Sequence, residues 1–141
     1  MRKKEIKEFL EGRKRLNVMV LGDLILDEYI WGKINRISPE APVPVLESTS
    51  ENATLGGAAN VANNLCSLNC RVFLFGVIGS DAKGKIFKSI VKKRGVNSSG
   101  VVVDPVRPTT NKIRIIAQNQ QILRIDWEKR TEISEEIEEK L

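Results

Sequence analysis

Apolar residues recur along this chain in blocks whose period changes from helix to strand and back. Ile6, Phe9 and Leu10 fall at helical spacing among charged residues, which predicts a helix over residues 3–15. A continuous apolar run, Val18 to Leu21, follows and ends at Gly22-Asp23, as a buried strand does. Residues 29–47 then mix aromatic, β-branched and proline positions. Pro39, Pro42 and Pro44 confine any strand there to an edge or a protruding flap, because proline donates nothing to a ladder.

From Gly56 the pattern is helical, through Val61, Leu65 and Leu68, and Val72 to Ile78 is a second buried strand. Residues 85–93 set Ile86, Phe87, Ile90 and Val91 on one helix face, and Gly95 stops that helix. Strands are expected at Val101-Val102-Val103 and over residues 112–116, the latter pairing with 121–127. Ser134 is placed to cap a helix opening with Glu135 and Glu136, acidic residues suited to its positive end. Alternating strand and helix with buried apolar strands predicts an α/β sandwich on a largely parallel sheet, with helices on both faces. The strands over about 29–47 and 110–127 are expected to form a small β lid.

Composition narrows the classes. At 141 residues, 41% hydrophobic and 29% charged, the chain is that of a folded globular segment. Much of the +5 net charge sits at Arg2 to Lys4 and Arg13 to Arg15. A solvated helix face explains it without a nucleic-acid partner. No apolar run approaches the ~20 residues that span a bilayer, and the basic start leads into no signal-peptide core. A cytoplasmic protein without membrane contact is expected. With no histidine in the chain, Cys66 and Cys70 lack partners for a zinc site and read as reduced thiols. The same absence removes Ser-His-Asp and Cys-His nucleophile systems.

Three stretches are candidates for chemistry. Gly79 to Lys85 follows the phosphate-loop pattern at both glycines and the lysine. It fails at Ile86, where a hydroxyl is needed to ligate magnesium. The alternative is a turn in which Asp81 accepts from backbone amides before the helix, with Lys83, Lys85 and Lys88 as surface charge. Gly56-Gly57-Ala58-Ala59-Asn60 opens a helix with two glycines that let backbone approach a ligand, and Asn60 offers a donor and an acceptor to hydroxyls; tight helix packing explains the glycines equally well. Asp23 stands at the carboxyl end of a buried strand, where open α/β sheets gather ligand groups. Asp27 reads as a turn or helix residue.

Gly56, Gly57, Asn60, Ala62 and Gly79 together resemble the first signature of the ribokinase-like (pfkB) carbohydrate kinases. Asn69 replaces the usual glycine or serine after the helix, a position that asparagine tolerates. Residues 36–45 and 112–126 are similar to bacterial heptose 7-phosphate kinases in particular. The resemblance implies a ribokinase-like sandwich that transfers the γ-phosphate of ATP, with Mg2+, to O1 of D-glycero-D-manno-heptose 7-phosphate in ADP-heptose and lipopolysaccharide core biosynthesis. It implies that Asp23, Gly56, Gly57 and Asn60 bind the sugar. Lys112, Arg114 and Arg124 are candidates for its 7-phosphate, since arginine grips a dianion bidentately; the alternative is a solvated face of the lid strands. It also implies a homodimer through the lid.

These kinases carry their base in a Gly-Ala-Gly-Asp stretch, and no Gly-x-Gly-Asp occurs in residues 1–141. The chain therefore reads as the N-terminal, sugar-binding portion of a truncated kinase domain, inactive alone, with the ATP-binding half and catalytic residues expected downstream. The alternatives are a non-catalytic sugar-binding or dimerising remnant and, less favoured, a small phosphate-loop protein.

Overall fold

The computed structural model describes residues 3–5, 8 and 15–141; the apolar positions Ile6, Phe9 and Leu10 of the expected first helix lie outside them. Ten elements follow: β1 (Asn17–Leu21), β2 (Leu24–Ile37), β3 (Pro44–Gly56), α1 (Gly57–Ser67), β4 (Arg71–Gly79), α2 (Ala82–Lys93), β5 (Asn97–Asp104), β6 (Thr110–Ala117), β7 (Gln120–Trp127) and the short α3 (Glu135–Glu138).

They form two sheets. The first is parallel throughout, in the order β1-β4-β5. The second has the order β3-β2-β6-β7, with β2 parallel to β6 and the outer pairs antiparallel. The proline-bearing flap is a long hairpin of β2 and β3, and β3 is an edge strand starting at Pro44, as proline requires. It is longer than the flap expected from the sequence, reaching back to Leu24 and on to Gly56.

Alternation on β4 explains the core. Val72, Leu74 and Ile78 are buried in one cluster with Ala59 and Ala62 of α1 and Phe87 and Val91 of α2. Small residues at 59 and 62 let α1 lie close to the strands. The roots of the second sheet, Leu24 and Leu55, belong to the same cluster, so the two sheets share one interior. The opposite face of the parallel sheet carries Met19 and Leu21, 65% and 61% exposed, beside half-buried Phe73 and Phe75. Ile86, expected on the buried side of α2, is 39% exposed, so the buried stripe is narrower than its spacing suggested.

The helix ends follow their sequence signals unevenly. Asp81 caps α2, accepting from the Gly84 amide at 2.8 Å. Gly95 and Asn69 take the left-handed conformations expected after α2 and α1, at φ +70° and +64°. Ser134 precedes α3, but its side chain makes no cap hydrogen bond; α3 is four residues long and is anchored by buried Ile137.

Candidate functional site

Where β2 leaves the interior its side chains alternate: Leu24 and Leu26 point into the core, while Ile25, Asp27 and Tyr29 share the other face. Register then places Thr110, Lys112 and Arg114 of β6 opposite Ile25, Asp27 and Tyr29. On β7, Asp126 and Arg124 stand opposite Lys112 and Arg114. Five charged side chains from three strands, Asp27, Lys112, Arg114, Arg124 and Asp126, thus lie on one face of the four-stranded sheet.

Asp27 is a strand residue here, not the turn or helix residue expected. Its neighbours Leu26, Tyr29 and Ile30 are apolar at both parities, which hid the alternation. Its carboxylate accepts from Arg114 Nη1 at 2.5 Å and lies against Gly56, where a Cβ would collide with it. Gly56 is thus explained by a carboxylate over its Cα, a pairing that exists only once β2 and β3 are in register and that the sequence alone did not signal. Arg114 also lies 5.3 Å from the centroid of the Tyr29 ring, which stacks on Trp31 at 5.6 Å. The hydrogen bond from Arg114 to Asp27, more than the opposing burial, holds the guanidinium above its ordinary pKa.

The other cations are also paired. Lys112 Nζ lies 3.2 Å from Asp126 and 3.5 Å from Glu128. Arg124 donates to both oxygens of Asp126, at 2.8 and 3.1 Å. Desolvation pushes the Asp126 carboxyl up, but hydrogen bonds from Lys112 and Arg124 outweigh it and hold it below its ordinary value. An incoming dianion would find its cations oriented by carboxylates that it must displace or share.

Asp23 and Lys112 both line a cleft of about 840 Å³, which also draws in Arg107, Thr110, Glu128 and Arg130. Asp23 is held there through its backbone, its carbonyl accepting from the Ala58 amide at 2.9 Å at the start of α1. Gly57 takes φ +54° against that same carbonyl, so two constraints exclude a side chain. Asn60 is exposed on the first turn of α1. The structure therefore brings Asp23, Gly56 and Gly57 together at the root of the hairpin and sets Lys112, Arg114 and Arg124 on the sheet face. Arg124, half exposed, stands at the rim.

The turn at Gly79 to Lys85 is tied from within at the Gly79, Gly84 and Lys85 amides. Thr109 Oγ1 accepts from the Gly79 amide at 2.9 Å and donates to Asp81 Oδ1 at 2.7 Å. Asp81 takes the Gly84 and Thr109 amides, so a carboxylate fills the helix end that a phosphate would need. Lys83 is not the surface charge expected; it is bonded to Glu28. Cys66 and Cys70 are free thiols, and burial pushes the Cys66 thiol up. Among the described residues no three His, Cys, Asp or Glu side chains converge to hold a metal, and no helix is long and apolar enough to cross a membrane.

A parallel layer with α1 and α2 packed against it, carrying a β lid over a charged face, is the ribokinase-like architecture. Solved structures bear this out at the level of fold. A ribokinase from Arabidopsis thaliana, complexed with ribose and ATP, superposes with a TM-score of 0.63 at 20% identity, over 80% of this chain and 36% of that one. A carbohydrate kinase from Agrobacterium tumefaciens gives 0.63 at 22%, over 79% and 35%. The description of the pfkB family carbohydrate kinases matches residues 15–141, and the chain belongs to that family. It is 62% identical over 111 residues to the bifunctional protein HldE of Helicobacter pylori, covering 79% of this chain and 24% of that protein. It is 50% identical over all 141 residues to the bifunctional protein HldE of Geotalea uraniireducens, covering 29% of it. The chain thus spans about a quarter of the length of the curated relatives it matches.

Proposed function

We propose that this chain is the sugar-binding and lid portion of an ATP-dependent kinase acting on D-glycero-D-manno-heptose 7-phosphate at O1, in ADP-heptose and lipopolysaccharide core biosynthesis. Family membership supports sugar phosphorylation, and the likeness of residues 36–45 and 112–126 to heptose 7-phosphate kinases supports the sugar. The observation that carries the reading is the sheet face itself. It sets an acid, Asp27, beside the glycine pair Gly56-Gly57 and a row of cations, Lys112, Arg114 and Arg124, as a ligand with hydroxyls at one end and a phosphate at the other requires.

In this reading Asp23, Asp27 and Asn60 take the sugar hydroxyls, Gly56 and Gly57 let it approach the backbone, and the three cations hold the 7-phosphate. ATP supplies the phosphoryl group. The base that takes the hydroxyl proton belongs to a Gly-x-Gly-Asp that residues 1–141 do not contain, so the segment alone is inactive. The Mg2+ that accompanies ATP is assigned no ligand among the described residues. The reverse face of the lid, where Leu123, Ile125 and Trp127 are 52%, 37% and 60% exposed, is assigned to a homodimer contact. The protein is placed in the cytoplasm, where ATP and sugar phosphates meet.

Incubating the full-length protein with ATP, Mg2+ and the heptose 7-phosphate, and following the anomeric phosphate by phosphorus NMR, tests this reading. A new 1-phosphate signal is expected. Turnover of other sugars with none of this one would remove the substrate assignment, and no phosphorylation of any sugar would remove the kinase reading.

A further inference from the structure

Behind the charged face, a second polar cluster joins the lid to the parallel layer. Lys83, on the first turn of α2, places Nζ 2.7 and 2.6 Å from the two carboxylate oxygens of Glu28 on β2. Asn111 of β6 donates from Nδ2 to the same carboxylate at 2.8 Å and to the Leu26 carbonyl at 3.1 Å. Asn111 is 1% exposed and its Oδ1 has no partner, a cost that the four hydrogen bonds of the cluster must outweigh. The Glu28 and Lys83 side chains are 17% and 38% exposed, so the pair is partly shielded from water.

Position gives this cluster its meaning. Glu28 follows Asp27 and Asn111 precedes Lys112, and strand alternation turns each pair to opposite faces. Anything that fixes Glu28 and Asn111 from behind therefore fixes Asp27 and Lys112 in front. Beyond Leu26 the strand leaves the buried core, and residues 27–32 are half-buried. Helix α2, in contrast, is seated by buried Phe87 and Val91. Lys83 thus ties a less firmly packed sheet to a firmly packed helix.

We infer that Lys83 is a positioning residue: through Glu28 and Asn111 it sets the tilt of β2 and β6, and so the placement of Asp27, Lys112 and Arg114 toward the substrate. The inference rests on the proposed sugar-phosphate site for its functional consequence but not for its structural one.

The test uses the full-length protein with Lys83→Met, Lys83→Arg, and the double variant Lys83→Met/Glu28→Gln, in which no unpaired carboxylate remains to unfold the sheet. Heptose 7-phosphate affinity is read by calorimetry, and backbone hydrogen exchange is read strand by strand. The double variant is expected to keep its circular dichroism and bind the sugar phosphate roughly tenfold more weakly, with ATP affinity unchanged and Lys83→Arg near wild type. Exchange should quicken in β2 and β6 and not in α1. A folded double variant with wild-type sugar affinity and exchange overturns the inference. If the wild-type protein binds no heptose 7-phosphate, the function proposed above fails, and the exchange comparison still decides this one.

Discussion

Arg114 reaches past its own register partner to bond Asp27: opposite it on β2 is Tyr29, over whose ring it lies, while opposite Asp27 stands Lys112. The diagonal contact fixes the Asp27 carboxylate with its Oδ2 over Gly56, where a Cβ would collide with it. The pairing orients the acid.

Replacing Asp27 by Asn keeps the shape but removes the charge that holds Arg114. In the full-length protein Asp27→Asn should weaken sugar-phosphate binding by about 1.5–3 kcal/mol, roughly ten- to a hundredfold, the worth of a charged hydrogen bond. Arg114→Lys should recover only part of the wild-type affinity, since an ammonium cannot contact Asp27 and a phosphate in one plane. Titration calorimetry of both variants checks this; wild-type affinity in Asp27→Asn would show that the acid does not meet the ligand.

Asp81 gives a prediction in pH. Partial burial raises its carboxyl, but the Gly84 amide and the Thr109 hydroxyl and amide prevail, holding it below its ordinary value of 3.8. A carboxyl lowered in the folded state contributes stability that is complete above the unfolded value and fades as pH falls through the folded one. The stability advantage of wild type over Asp81→Asn should therefore be constant at neutral pH and shrink below about pH 4, as seen by urea unfolding at several pH values. Asp81→Ala, which also loses the helix cap, should cost about 1–2 kcal/mol at pH 7.

The parts of this fold that were readable in the sequence are those governed by near neighbours. Asp81 before α2, Gly95 after it, and Asn69 after α1 each answer a local backbone demand, and β4 announces itself as one apolar run. What escaped depends on register between distant strands. Asp27 acquires its neighbours only when β2 is laid against Gly56 and β6, more than 80 residues further along in the case of Arg114. Lys83 looked like one of several surface lysines because Glu28, its partner, is 55 residues away. Lys112, Arg114 and Arg124 were legible as a row of cations, while their pairing with Asp27, Asp126 and Glu128 was not.

The second face of the parallel sheet gives the last prediction. Met19 and Leu21 stand 65% and 61% exposed, in register with Phe73 and Phe75 on β4. A parallel sheet is ordinarily covered on both faces, and this one has α1 and α2 on one side only among the described residues. In a protein about four times as long, as the curated relatives are, further chain is available to cover it. Met19→Lys should then cost the full-length protein about 2–4 kcal/mol in urea unfolding, the penalty of a charge forced into an apolar interface, and not the ~0.5 kcal/mol typical of an open surface. The 141-residue chain alone should bind an apolar dye and scatter light as an associated species, and Met19→Lys should reduce both. A near-neutral effect in the full-length protein would mean that this face meets solvent there too.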